Sequence, residues 1–320
     1  MRRILPCLLV LVLSLCAVSA QAQAQGATNA NQMAILHWYN GNLKARFAVG
    51  SAPLGVAFDG ASMWVANRTS NNVTKLRASD GAVLGTFPVG QSPAGVAFDG
   101  DSIWVTNNAE DTVTELRASD GSVVGTFPVG HFPVGVVFDG FNIWVANSGS
   151  GTVTKLRASD GANHGTFAVT GASGITFDGT NIWVTSVGSV TRLRVRDGAV
   201  EAIFPIGAAP TAITSDGGSL GDINIYVTSR ESNSLYKLRA KDGMVLRIIP
   251  VGTAPEGLAF DGANIWVANN GLASNSVTKV RAFDGAVLGT FGVGQMPAGV
   301  AFDGANVWVT NNGSNSVSKL

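Results

Sequence analysis

The chain has 320 residues, of which 46% are hydrophobic and 13% charged, with 40 glycines and 21 basic side chains against 21 acidic ones. So even a charge balance offers no electrostatic footprint for nucleic acid. Few charges with many glycines suit short strands joined by tight turns.

The first twenty residues read as an export signal: "MRR", then the apolar "ILPCLLVLVLSLCAV", then small residues that place cleavage after Ala20. The apolar run is short for a membrane span and is followed by polar "QAQAQGATNANQ", so no transmembrane anchor is expected after cleavage. Both cysteines, Cys7 and Cys16, fall in this segment. The mature chain is therefore expected to lack disulfides, zinc ribbons and thiol chemistry, and to be periplasmic or secreted. Residues 21–35 read as a flexible linker.

From residue 36 onward the chain repeats itself. "VGQSPAGVAFDGDSIWVTNN" at 89–108 returns as "VGQMPAGVAFDGANVWVTNN" at 293–312. An Asp-Gly marker stands at Asp59, Asp99, Asp139, Asp178, Asp216, Asp261 and Asp303, and an aromatic follows each at Trp64, Trp104, Trp144, Trp183, Tyr226, Trp266 and Trp308. A second Asp-Gly turn, in "LRASDG" or a variant, falls at Asp80, Asp120, Asp160, Asp197, Asp242 and Asp284, and the last repeat lacks it. The repeats start near residues 49, 89, 129, 169, 206, 251 and 293.

Within one repeat, four runs of strand length ("GVAF", "MWVAN", "NVTKLRA", "AVLGTF") are separated by turn-forming clusters. Glycine accepts positive φ and aspartate hydrogen-bonds its own turn, so each Asp-Gly pair predicts a hairpin joint. One such meander cannot bury both faces alone. Seven of them stacked about an axis predict an all-β fold, a seven-bladed β-propeller of four-stranded antiparallel blades. The last repeat stops at Leu320 without its final strand, whereas "NGNLKARFAVG" at 40–50 aligns with a final strand. The ring is thus expected to close with an N-terminal strand at Leu43 to Phe47, removing two open sheet edges. Residues 33–38, "MAILHW", also align with a third strand and compete for a place that "SVSKL" already fills.

"WVTNNGSNSVSKL" and "VGQMPAGVAFDG" resemble the YVTN-type, NHL-like repeat of exported bacterial β-propellers, whose usual signatures are "YVTN", "SNTV" and "GxxPxG". The resemblance covers residues 36–320, with "WVAN" or "WVTN" in five copies and "WVTS" and "YVTS" in the fourth and fifth. It implies an exported binding or scaffold protein more often than a defined catalyst, because propellers host unrelated functions.

Positions alike in every repeat serve the blade, and positions that differ can serve a ligand. The Asp-Gly turns and the arginine row Arg77, Arg117, Arg157, Arg194, Arg239 and Arg281 are therefore read as architecture, each arginine meeting a turn carboxylate. The exceptions lie in the loops between blades and the loops after the aromatic strand, which are expected on one face. After the loop proline most blades carry Leu54, Ala94, Val134, Thr211 or Ala298, but one carries Glu256. His131 and Phe132 precede another proline, Arg68 follows the first aromatic strand, Glu110 and Asp111 the second, and Arg230 and Glu231 the fifth. His131, Phe132, Arg68, Arg230, Glu231 and Glu256 form the candidate ligand-binding set.

No catalytic residue, metal site or cofactor is expected. The partner expected is a protein, small molecule or glycan of the cell envelope, bound by a monomer, with no nucleic acid. The alternative is a metal-dependent lyase resembling virginiamycin B (streptogramin) lyase, which implies a histidine base at the axial mouth. Of His37, His131 and His164 only His131 is placed there. No calcium loop or Gly-rich phosphate loop supports a quinoprotein or nucleotide enzyme.

Overall fold

The computed structural model describes residues 45–207, 209–218 and 223–320. The expected signal, the linker, the competing strand at 33–38 and His37 lie outside the described residues. Four strands form the first blade: β2 (Pro53–Phe58), β3 (Ser62–Asn67), β4 (Asn72–Arg77) and β5 (Val83–Pro88). They pair antiparallel in chain order, and five further blades repeat that order. In the seventh, β1 (Ala45–Ala48) lies beside Ser316–Lys319 and supplies the fourth strand. The first strand of each blade packs against that of the next, and the seventh returns to β2, so the ring is closed. Its fold class is that expected from the repeat.

Strand period explains why β3 is apolar throughout. Successive side chains point to opposite faces, and both faces of a blade meet a neighbour. Met63 and Val65 pack with Trp308 and Val317 of blade 7, while Trp64 and Ala66 pack with Ile103, Val105 and Leu116 of blade 2. The outer strand β5 leaves Val83 and Leu84 exposed but turns Phe87 inward against Trp64, with ring centroids 5.4 Å apart. Such pairs add about 0.5–1.5 kcal/mol beyond the area they bury.

The arginine row meets its turn carboxylates as expected. Arg77, Arg117, Arg157, Arg194, Arg239 and Arg281 each pair with the aspartate three residues on. Hydrogen bonds from the Arg157 and Arg239 side chains hold the Asp160 and Asp242 carboxyls down to about 2. Solvent screens these exposed pairs, so their stabilisation is small.

A second cation row seams the blades together. The Lys155 ammonium lies 4.9 Å from the centroid of the Trp144 ring and donates to the Val195 carbonyl of the next blade at 2.7 Å. Lys75, Arg192, Lys237 and Lys319 reach Ala118, Ala240, Ala282 and Ala78 in the same way. Blade 2 breaks the row with Glu115, buried and hydrogen-bonded to Ser102 within its own blade. Burial above all, then repulsion from Asp99, raises its carboxyl above the ordinary range, against the pull of the Ser102 hydroxyl and Arg117. Glu115→Lys is expected to restore the seam and stabilise the fold by about 1–2 kcal/mol, because a buried charge is exchanged for one with a carbonyl and a ring to meet. A urea midpoint that does not rise would show that the seam contributes nothing at this joint.

Candidate functional site

The loops knit the blades on one face through a repeated backbone device. Asn71, Asn233, Asn275 and Asn315 sit at positive φ, and each side-chain oxygen accepts a backbone N–H from the following loop, at Ser92, Ala254, Met296 and Ala52. Asn and Asp tolerate this left-handed conformation better than most residues. The two Asp-Gly turns join each other on the opposite face, as the Ala78 N–H to Ala61 carbonyl bond shows.

His131 and Phe132 belong to the joint between blades 2 and 3. Asp111 stands there in place of the asparagine, accepting the Phe132 N–H at 2.9 Å and lying 2.6 Å from His131 Nδ1. The Phe132 N–H first, and His131 second, hold the Asp111 carboxyl below its usual range. The imidazole is 74% exposed, and neither residue lines the axial cavity. Asp111→Asn is expected to leave stability within about 0.5 kcal/mol, as the asparagine of the other joints makes the same bond, whereas Asp111→Ala costs about 1 kcal/mol. Equal thermal midpoints for the two variants would refute the latch.

The axial cavity is built by an irregularity repeated in six of the seven blades. The register of β2 against β3 shifts between Pro53 and Val56, which turns Leu54, Gly55 and Val56 to the axis. Corresponding triplets from all seven blades line a cavity of about 430 Å³, within the size range of small-molecule sites. Its wall is mostly apolar side chains and glycine backbone, with the hydroxyl residues Ser173 and Thr211 among them, and of the described residues that line it Arg230 and Glu256 are the charged ones.

Glu256 is held at the backbone, where its carbonyl accepts the Thr228 hydroxyl at 2.8 Å. Its carboxyl is raised above the ordinary range by burial, against the opposing pull of Arg230 and then Arg68. No hydrogen bond or ion pair to that carboxylate is found among the described residues. Arg230 and Arg68 are exposed, and their backbone N–H groups bond the Ala209 and Ala52 carbonyls. The two arginines occupy the same repeat position. In blades 2, 6 and 7 it holds Asn108, Asn270 and Asn312, each bonding the carbonyl of the next blade's loop proline. Replacing that asparagine with arginine gives up this bond and supplies a charge at the mouth.

Of the six expected residues, the structure therefore brings Arg230 and Arg68 within electrostatic reach of Glu256. His131 and Phe132 sit together at a different joint, and Glu231 is exposed beside Arg230 without lining the cavity. Sequence reasoning treated these six residues as one set and named Asp111 as a further charged exception of the same face without pairing it with His131, although Asp111 falls in repeat register with Asn71. Among the described residues no group of three or more His, Cys, Asp or Glu side chains could hold a metal ion. The donor set does not fit a resident metal at the mouth.

No protein-family model and no curated protein matches the sequence. Solved structures do match. Kuenenia stuttgartiensis hydrazine synthase superposes with a TM-score of 0.75 at 17% identity, over 87% of this chain and 97% of that one. A streptogramin B lyase structure gives 0.71 at 18% identity, over 86% and 96%. At these identities the likenesses show the fold alone: the chain is a β-propeller.

Proposed function

We propose that the chain is an exported, YVTN-type β-propeller that binds a cell-envelope ligand or partner at its axial mouth. Glu256, Arg230 and Arg68 carry the recognition, and His131, Phe132 and Glu231 belong to the loop rim of the same face. One observation supports this above the others: a mostly apolar cavity presents two charged side chains, and one is a half-buried carboxylate with no hydrogen bond or ion pair among the described residues. A fold keeps an unpaired, partly desolvated charge at a cost, and ligand binding accounts for that cost where packing does not. Export places the protein in the periplasm or outside the cell, as a monomer, with the signal removed after Ala20.

The test is retention of envelope-extract components on the purified protein, beside Glu256→Gln and Arg230→Gln variants. A component held by the parent and lost from both variants supports the reading, and identical retention by all three refutes it. The lyase alternative rests on likeness to the streptogramin B lyase fold. It would require turnover of a streptogramin B by the parent protein, abolished by chelation.

A further inference from the structure

The charges at the mouth are of both signs and do not neutralise one another. Glu256 forms no ion pair with Arg230 or Arg68 among the described residues, yet both are close enough to pull on its titration. Glu256 and Arg230 both line the cavity, so a carboxylate there lacks a cationic donor and a guanidinium lacks an anion, while Arg68 is close enough to act on the same carboxylate. The rest of the wall is mostly hydrocarbon, with Leu54, Val136, Ile213 and Leu258 among its side chains beside Ser173 and Thr211. The backbone that carries the carboxylate is fixed rather than adaptable. Thr228 pins the Glu256 carbonyl, and the next residue, Gly257, packs so closely that a Cβ there would lie 2.0 Å from the Ala298 oxygen.

We propose that the mouth binds a small zwitterion with an apolar body, the chemistry of a hydrophobic free α-amino acid. The ammonium pairs with Glu256, the carboxylate with Arg230 and Arg68, and the apolar side chain enters the axial cavity. The proposal rests on the reading of the mouth as the binding site and specifies its ligand class. A simple carboxylate would leave Glu256 unpaired and bring a second negative charge beside it. A simple amine would meet Glu256 but be repelled by both arginines. Only a ligand bearing both charges answers all three side chains, and each pair gains from the low-dielectric wall. A cavity of about 430 Å³ accommodates a leucine- or phenylalanine-sized molecule with room for water.

Calorimetric titration with matched head groups tests this. L-leucine is compared with leucinamide, which keeps the amine and lacks the carboxylate, and with 4-methylpentanoate, which keeps the carboxylate and lacks the amine. Leucyl-leucine separates a free amino acid from a short peptide as the source. Leucine is expected to bind at least about tenfold more tightly than either single-charge analogue, the penalty of leaving a charged partner unpaired. Glu256→Gln should level leucine with 4-methylpentanoate, and Arg230→Gln should level it with leucinamide. A circular dichroism melt checks that both variants fold. Equal binding of either analogue to the parent, or head-group ratios unchanged in the variants, overturns the proposal. If no probe binds but an envelope component still depends on Glu256 and Arg230, the zwitterion class is wrong and the site stands. If nothing depends on those residues, both readings fall.

Discussion

Asp139→Ala is expected to destabilise the propeller by about 3 kcal/mol, although the residue is neither in a hydrophobic cluster nor at the mouth. The carboxylate is buried and closes the hairpin of blade 3. One oxygen accepts the Phe141 and Asn142 N–H groups at 2.8 and 2.6 Å, and the other accepts the Trp144 indole N–H at 2.7 Å. Removing it strands a buried indole donor, worth about 1–3 kcal/mol, and uncaps the turn. The same bond recurs at Asp59, Asp99, Asp178, Asp261 and Asp303, each to the tryptophan five residues on. If the indole bond carries the loss, Trp144→Phe placed on Asp139→Ala should cost less than Trp144→Phe alone. Additive urea midpoints would place the effect in the turn instead.

The same carboxylates set the acid limit of the fold. Burial alone would raise the Asp261 and Asp303 carboxyls, but the Trp266 and Trp308 indoles, with turn amides and the Asn264 and Asn306 side chains, outweigh it and hold both below the ordinary 3.8. A carboxyl lowered in the folded state adds stability that is present above its unfolded value and lost as pH falls through the folded one. Stability should therefore fall once pH drops below about 3.8, and a flat urea midpoint between pH 5 and pH 2, each an approximate setting, would contradict it.

Gly257→Ala is expected to cost about 2–3 kcal/mol through the ring rather than through the blade. The added Cβ would stand 2.0 Å from the Ala298 oxygen and 3.0 Å from the Ala298 carbon and Gly299 Cα, all backbone. No rotamer relieves such a contact, so the first strands of blades 6 and 7 must separate. Gly55, Gly95, Gly135 and Gly299 meet the next blade's carbonyl oxygen at 2.2, 2.2, 2.4 and 2.3 Å by the same construction. Blade 5 differs: it carries Ala212, whose N–H bonds the Thr228 hydroxyl at 3.0 Å. Ala212→Gly should then change stability by about 1 kcal/mol or less. Matching losses for Gly257→Ala and Ala212→Gly would mean that strand propensity, not inter-blade contact, decides this position.

The sequence by itself determined the blade. Asp-Gly pairs, β-branched runs and a fixed spacing between aspartate and aromatic are local signals, and β2 to β5 fall where the runs "GVAF", "MWVAN", "NVTKLRA" and "AVLGTF" placed them. The missing strand of the last repeat likewise pointed to closure by the N-terminal segment that supplies β1. What required tertiary structure was every relation between blades, because a contact such as Lys75 to Ala118 spans forty-three positions and leaves no spacing to recognise. Glu256 could be singled out as the charged exception after a loop proline. Only the closed ring decided that it lines one cavity with Arg230 and feels Arg68 while His131 turns to Asp111, since residues of blades 1, 5 and 6 come together across the ring and not along the chain.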